Sequence, residues 1–157
     1  MARWIESWMP GSSTGPPGRG ADGHPGQRFG LPAEGVSSVA GFGRRLGALL
    51  VDWLLGYLIA LLVLGSDEIG GPNLSWAVLG IWFLLTAVPV AVFGASAGMT
   101  LLGIRVASID SAPVIGIPRA LLRTALIALV LPAVARDGDG RGWHDRAART
   151  IVVRTRA

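Results

Sequence analysis

An acid lies inside the first long apolar stretch of the sequence, and a basic residue stands at its start. The stretch "GFGRRLGALLVDWLLGYLIALLVLG" covers residues 41–65, with Arg45 near its beginning and Asp52 seven residues later among leucines. An acid within a membrane helix often marks a path for protons or cations. It can also be half of a buried ion pair that joins two helices. The sequence leaves both interpretations of Asp52 open.

Helix geometry argues against Arg45 as the partner of Asp52. Seven residues make almost two turns, so both side chains share a face, but they lie about 10.5 Å apart along the axis. Both side chains also lean toward the N-terminus, which keeps Asp52 away from Arg45. Ala48, Gly56 and Ala60 surround Asp52 as a stripe of small residues, the kind that allows another helix to approach closely. We therefore expect Asp52 to face protein and not lipid.

Two arginines of the third apolar segment, "PRALLRTALIALVLPAVA", are candidate partners for the acid. Arg119 and Arg123 stand one helical turn apart in it. A helix lying at the cytoplasmic surface of the membrane brings such arginines to the depth of Asp52. We therefore expect Asp52 to be ionised and held by Arg123 or by Arg119.

Composition places the chain among membrane proteins. Of its 157 residues, 51% are hydrophobic and only 15% are charged, below the roughly 25% charged residues of a soluble domain. The 14 basic residues are all arginines and flank apolar segments, which is typical of membrane topology and does not require nucleic acid as a partner. The absence of cysteine excludes disulfides, thiolate metal sites and thiol nucleophiles.

Three helices and two strands are predicted around these residues. Helices at about 42–64 and 74–93 are long enough to cross a hydrocarbon layer of about 30 Å. The third helix, at 118–135, has an uncharged part of only twelve residues, so we expect it to be embedded or interfacial and not spanning. The stretches "LLGIRVASI" and "TIVVRT" are strand candidates that can pair. The predicted fold is an all-α membrane protein of two transmembrane helices and a third embedded helix, with a small cytoplasmic strand pair.

Arginine counts predict the orientation of these helices. Five arginines precede the first helix and six follow residue 135, whereas the loop 65–73 has two acids and no basic residue. Because arginine is enriched on the cytoplasmic flanks of spanning helices, we expect both termini inside the cell.

The chain divides into three predicted parts. Residues 1–40 are expected to be flexible, because residues 10–35 contain eight glycines and five prolines. The start of this segment, "MARWIESWM", places tryptophans on one helical face that suits a membrane surface or a partner protein. Residues 41–154 form the membrane domain, and residues 155–157 are a tail.

The polar stretch "RDGDGRGWHDR" gives little support to an enzyme. It lacks the glutamate and the ligand spacing of a calcium loop, so it is predicted to be a solvated turn. His144 stands beside an aspartate but without a nucleophile or a second base. We therefore expect no catalytic residue, no metal and no cofactor.

Several stretches, in order, resemble the RDD family of membrane proteins, which is named for one arginine and two aspartates. They are "RRLGALLVDWLL", "GMTLLGIRV", "RALLR" and "GRGWHDRAARTIVV", and the resemblance covers about residues 40–154. It matches Arg45 and Asp52 to the first two named residues and Asp145 to the second aspartate. We expect Asp145 to cap Arg45 at the cytoplasmic surface.

The resemblance implies a multi-pass protein of a bacterial cell membrane that takes part in moving an ion or a small ligand. One interpretation is a carrier or exchanger acting as a homo-oligomer, because two or three helices rarely enclose a path alone. The other is an accessory or scaffold subunit bound to a larger membrane complex. Both have the lipid bilayer as a partner and neither involves nucleic acid.

Overall fold

The computed structural model describes residues 23–110, 113–129 and 142–157. The predicted amphipathic start, the last part of the predicted third helix and residues 136–141 of the polar stretch lie outside the described residues. Within them, the chain is mostly helical and contains a small two-stranded sheet.

Two long helices dominate the described part of the chain. Helix α1 is Phe42–Leu64 and helix α2 is Pro72–Phe93, and both are long and apolar enough to cross a membrane. A short turn of 3-10 helix, Ser66–Glu68, lies between them. Pro72 suits the first position of α2, where the backbone N–H has no partner within the helix, and Gly94 ends the helix with a φ of 75°.

The two long helices direct their large apolar side chains outward. On α1, Leu50, Leu54 and Leu62 are 60%, 59% and 85% exposed, and on α2 Phe93 is 80% exposed. In the most hydrophobic 18-residue stretch of each helix, only 22% is buried in α1 and 33% in α2. The core helix of a soluble protein buries such residues, so this arrangement suits a surface covered by lipid.

The inward face of α1 is the predicted stripe of small residues, since Ala48, Asp52, Gly56 and Ala60 are all buried. Gly56 lets α2 come close, because a Cβ at this position would lie 3.0 Å from Cβ of Trp82 and 3.2 Å from its backbone N. The prediction that Asp52 faces protein is confirmed.

A short helix and the sheet follow α2. Helix α3 is Ala97–Leu101, strand β1 is Ile104–Ser108 and strand β2 is Thr150–Arg154. The strands pair antiparallel with Val106 opposite Val152, which confirms the predicted strand pair and adds a small sheet to the predicted all-α fold.

A segment before α1 pairs with the other edge of β2. The backbone N–H of Ser37 donates to the carbonyl of Arg154 at 2.8 Å, and that of Ala40 donates to the carbonyl of Val152 at 2.9 Å. Residues 37–40 were assigned from sequence to the flexible segment 1–40, and the structure corrects that assignment for these four residues. Their backbone groups find partners in β2, which the glycine and proline content could not reveal.

Two further α-helices follow, and a turn of 3-10 helix, Gln27–Phe29, precedes α1. Helix α4 is Ile117–Ala128 and helix α5 is Trp143–Ala147. With twelve residues, α4 is too short to span a bilayer, and residues 130–135 of the predicted third helix lie outside the described ranges. Its inner face buries Arg123 and Thr124, while Leu121 and Leu122 on its outer face are 40% and 46% exposed. Outward leucines suit a helix at the membrane interface, and that location stays a prediction.

Candidate functional site

Asp145 is a fully buried acid that binds two arginines. Nη1 of Arg45 donates to Oδ2 of Asp145 at 3.0 Å, and Nε of Arg123 donates to Oδ1 at 2.9 Å. Nε2 of His144 lies 3.4 Å from the same Oδ1. The predicted pairing of Asp145 with Arg45 is present, and Arg123 joins it. One carboxylate thus links α1, α4 and α5.

Arg45 also binds the backbone next to the sheet. Its Nε donates to the carbonyl of Ala40 at 3.0 Å, and its Nη2 donates to the carbonyl of Val152 at 3.4 Å. The arginine therefore fastens the start of α1 to β2 as well as to Asp145. We call Arg45, Arg123 and Asp145 the Asp145 cluster.

The charges around Asp145 determine its protonation. Burial alone raises the pKa of Asp145, but the nearby charges of Arg123, His144 and Arg45 outweigh it and lower the pKa below its ordinary value. Asp145 is therefore ionised at neutral pH and neutralises the buried arginines.

Asp52 has a different set of partners. Its side chain is buried, Oδ2 accepts a hydrogen bond from Oγ of Ser96 at 2.5 Å, and Oδ1 accepts one from the backbone N–H of Gly98 at 2.7 Å. Ser96 also caps α3 by accepting from the backbone N–H of Met99 at 3.3 Å. Neutral donors at the start of α3 therefore hold the acid of α1.

The predicted direct contacts of Asp52 with an arginine are wrong, although Arg123 lies near enough for its charge to act on Asp52. Arg123 directs its Nε to Asp145. Arg119 pairs with Asp110 at 2.9 Å, and both side chains are partly exposed. Because a hydroxyl and a backbone amide satisfy Asp52, the acid needs no direct contact with a cation.

Ser96 and Gly98 are the site residues that the sequence analysis missed. Serine just before a short helix is a recognisable N-cap pattern, and "SAGMT" carries it. Gly98 is required by the packing, since a Cβ there would collide with the carbonyl oxygen of Ala48 and lie 3.0 Å from Cγ of Asp52. The link to Asp52 itself appears only when α3 packs against α1.

A cavity of about 210 Å³ connects Asp52 with the Asp145 cluster. This is several times the roughly 30 Å³ that one water molecule takes up in the liquid. The polar and charged residues on its wall are Arg45, Asp52, Thr86, Arg123 and His144. Three of the five predicted site residues thus line one space. Asp145 binds two of them from behind the wall, and Arg119 lies apart.

Two polar groups on the cavity wall stay unsatisfied. Among the residues that the structure describes, Nη1 of Arg123 and Oγ1 of Thr86 have no hydrogen-bond partner, and each side chain is 2% exposed. Buried polar groups are seldom left without a partner, so these two can bind a polar solute. Within the same residues, no group of three or more His, Asp or Glu side chains could hold a metal ion.

Comparison with family models gives a match over residues 39–149 to the model described as the RDD family. This range contains Arg45, Asp52, Arg123 and Asp145. The comparisons with curated proteins and with solved structures gave no match.

Proposed function

The chain belongs to the RDD family of membrane proteins, and from this premise we propose that it binds a small polar solute in the cavity beside Asp52 and takes part in moving it across the membrane. The observation that carries the proposal is an acid inside a candidate spanning helix that forms the wall of a cavity. Acids at such positions are costly and are commonly retained for function.

The depth of Asp52 supports a role in solute binding. It stands seven residues after Arg45, the last charged residue before it in α1, which is about 10.5 Å along the helix axis. At that depth an acid used only for structure would favour a direct cationic partner. Ser96 and Gly98 hold Asp52 with neutral donors instead, so its negative charge remains available to a solute.

The cavity also reaches the outer surface of α1. Phe42, Leu46 and Trp53 line it and are themselves 48%, 40% and 37% exposed. A solute can therefore enter between these side chains, and a second copy of the chain can cover them.

Two candidate spanning helices do not enclose a path through a bilayer. We propose that the protein acts as a homo-oligomer in the cell membrane of a bacterium, with α4 at the cytoplasmic interface and both termini inside. The arginine distribution, five before the first helix and six after residue 135, supports this orientation.

Solute-driven swelling of proteoliposomes tests the proposed function. Liposomes with purified full-length protein would be exposed to hyperosmotic sodium chloride, sodium acetate, choline chloride, trimethylglycine or urea, and light scattering would follow re-swelling. We expect at least one solute to enter through the wild-type protein and entry to be lost in Asp52→Asn. Arg119→Gln, whose residue lies away from the cavity, is the matched control and should retain entry.

A flux assay without any entry would contradict the proposal. If the protein, extracted from its native membrane, also co-purified as a stable complex with other membrane proteins, the accessory or scaffold role would replace it.

A further inference from the structure

The unsatisfied groups of the cavity indicate the chemical class of the solute. We propose that the cavity binds a small zwitterion, with a carboxylate at one end and an ammonium group at the other. This inference rests on the proposed function of the cavity as a solute site.

The carboxylate end is assigned by two buried donors. Nη1 of Arg123 and Oγ1 of Thr86 line the same cavity without a hydrogen-bond partner in the described part of the chain. Arg123 uses its Nε on Asp145, which fixes the plane of the guanidinium and leaves Nη1 to donate. Guanidinium groups match the geometry of carboxylates, so the two oxygens of a solute carboxylate are the acceptors that these donors lack.

The ammonium end is assigned by Asp52 and Trp53. Each oxygen of Asp52 accepts one hydrogen bond, from Ser96 or from Gly98, and each keeps a further lone pair. Trp53 lies on the wall of the same cavity with one face of its indole ring stacked on Trp82, and the other face is the one that can attract an ammonium group. A positive group therefore finds a negative charge and an aromatic surface together.

The charge balance selects a solute without net charge. Arg45 and Arg123 contribute two positive charges, and Asp52 and Asp145 contribute two negative ones, so these four charges sum to zero. An anion or a cation would add an uncompensated charge in a site of low dielectric constant, which is strongly unfavourable. A zwitterion places opposite charges against opposite charges and keeps the sum at zero.

Binding of three matched probes tests the inference. Trimethylglycine carries both charges, tert-butylacetate keeps its shape and carboxylate but lacks the positive nitrogen, and choline keeps the trimethylammonium group but lacks the carboxylate. Isothermal titration calorimetry on the purified full-length protein would give the three affinities. We expect trimethylglycine to bind about tenfold or more tightly than either of the others.

Two variants assign the ends of the bound probe. Thr86→Val keeps the side-chain shape and removes the hydroxyl, so it should weaken trimethylglycine and tert-butylacetate but not choline. Asp52→Asn should weaken trimethylglycine and choline but not tert-butylacetate. Arg119→Gln is again the control outside the cavity, and thermal unfolding of each variant shows that it is folded.

The possible failures are distinguishable. Tighter binding of tert-butylacetate would overturn the zwitterion and indicate a cavity of net positive charge. Tighter binding of choline would overturn it in favour of a cation site. In both cases the proposed solute-binding function stands. Absence of binding by all three probes, with entry of another solute in the swelling assay, overturns the zwitterion alone. Absence of both binding and entry overturns the proposed function with it.

Discussion

The two buried aspartates of this protein are stabilised in opposite ways. Asp145 binds Arg45 and Arg123 directly, whereas Asp52 accepts from a serine hydroxyl and a backbone amide. Asp145 joins three elements and leaves its partners little freedom, which is typical of a structural ion cluster. Asp52 lies on a cavity wall with its charge unpaired by direct contact. The comparison teaches that the kind of donor, and not burial alone, separates a structural acid from one available to a solute.

The largest effect is expected from Asp145→Asn. The change leaves one buried and one partly buried guanidinium without their counter-charge, and breaking such a cluster typically costs about 3–5 kcal/mol. Unfolding by titration with a denaturing detergent would measure the loss against the wild type. A loss below about 1 kcal/mol would show that the Asp145 cluster is not the structural one of the two.

Acid should have an effect similar to that of the Asp145→Asn change. Because the pKa of Asp145 is lowered from its ordinary value of 3.8, its ionisation stabilises the fold fully above that value. The contribution is lost as the pH falls through the lower pKa of the folded protein. Stability curves of the wild type and of Asp145→Asn should therefore converge as the pH falls below 3.8. Curves that stayed equally far apart at low pH would contradict the assignment.

Gly98→Ala should have an intermediate effect, because it separates α3 from α1. The added Cβ meets the carbonyl oxygen of Ala48 and lies 3.0 Å from Cγ of Asp52, so α3 must shift and its bonds to Asp52 must lengthen. Overpacking of this kind costs about 1–3 kcal/mol. Gly80→Ala is the matched control, since a Cβ on this helical glycine would meet nothing within 4 Å. Equal stability of the two variants would refute the close packing around Asp52.

Asp52→Asn should destabilise the protein less than Asp145→Asn does. Asparagine keeps one oxygen that can accept from Ser96 or Gly98, so we expect a loss of about 1 kcal/mol, the typical net value of one hydrogen bond. Solute entry should nevertheless disappear. The comparison between the two acids would break down if Asp52→Asn cost as much stability as Asp145→Asn.

The smallest effect is expected for Arg119→Gln. Its pair with Asp110 is 36% and 38% exposed, and such pairs are worth about 0–1 kcal/mol. The unfolding titration should therefore hardly change. A large loss would mean that this third pair belongs with the Asp145 cluster.

The long helices, the inward stripe and the strand pair follow from local patterns that the sequence displays. Length and hydropathy locate α1 and α2, small residues at every fourth position locate the buried face, and β-branched residues locate β1 and β2. The pairing of Arg45 with Asp145 could be anticipated, because Arg45 lies too far along the helix axis from Asp52 to bind that acid. These inferences need only the order of residues along the chain or their spacing on one face of a helix, and both can be read from the sequence.

The partners of Asp52 depend on tertiary placement and could not be found in that way. Counting charges directed attention to Arg119 and Arg123, while the donors that bind Asp52 are Ser96 and Gly98, which carry no charge. Arg123 was assigned to the wrong acid because spacing along the chain does not say which of two aspartates α4 will meet. The cavity and its unsatisfied donors likewise exist only once α1, α2 and α4 are packed together.

Strand β2 lies between β1 and residues 37–40, and this position has a consequence for biosynthesis. Strand β2 is made after every other described element, yet it pairs with β1 on one side and with residues 37–40 on the other. Until the ribosome has released residues 150–154, both edges lack their partner and Arg45 lacks its backbone acceptor Val152. The two long helices are therefore complete before the domain can close. Nascent chains that stop short of β2 expose unpaired strand edges, and such edges are prone to aggregation.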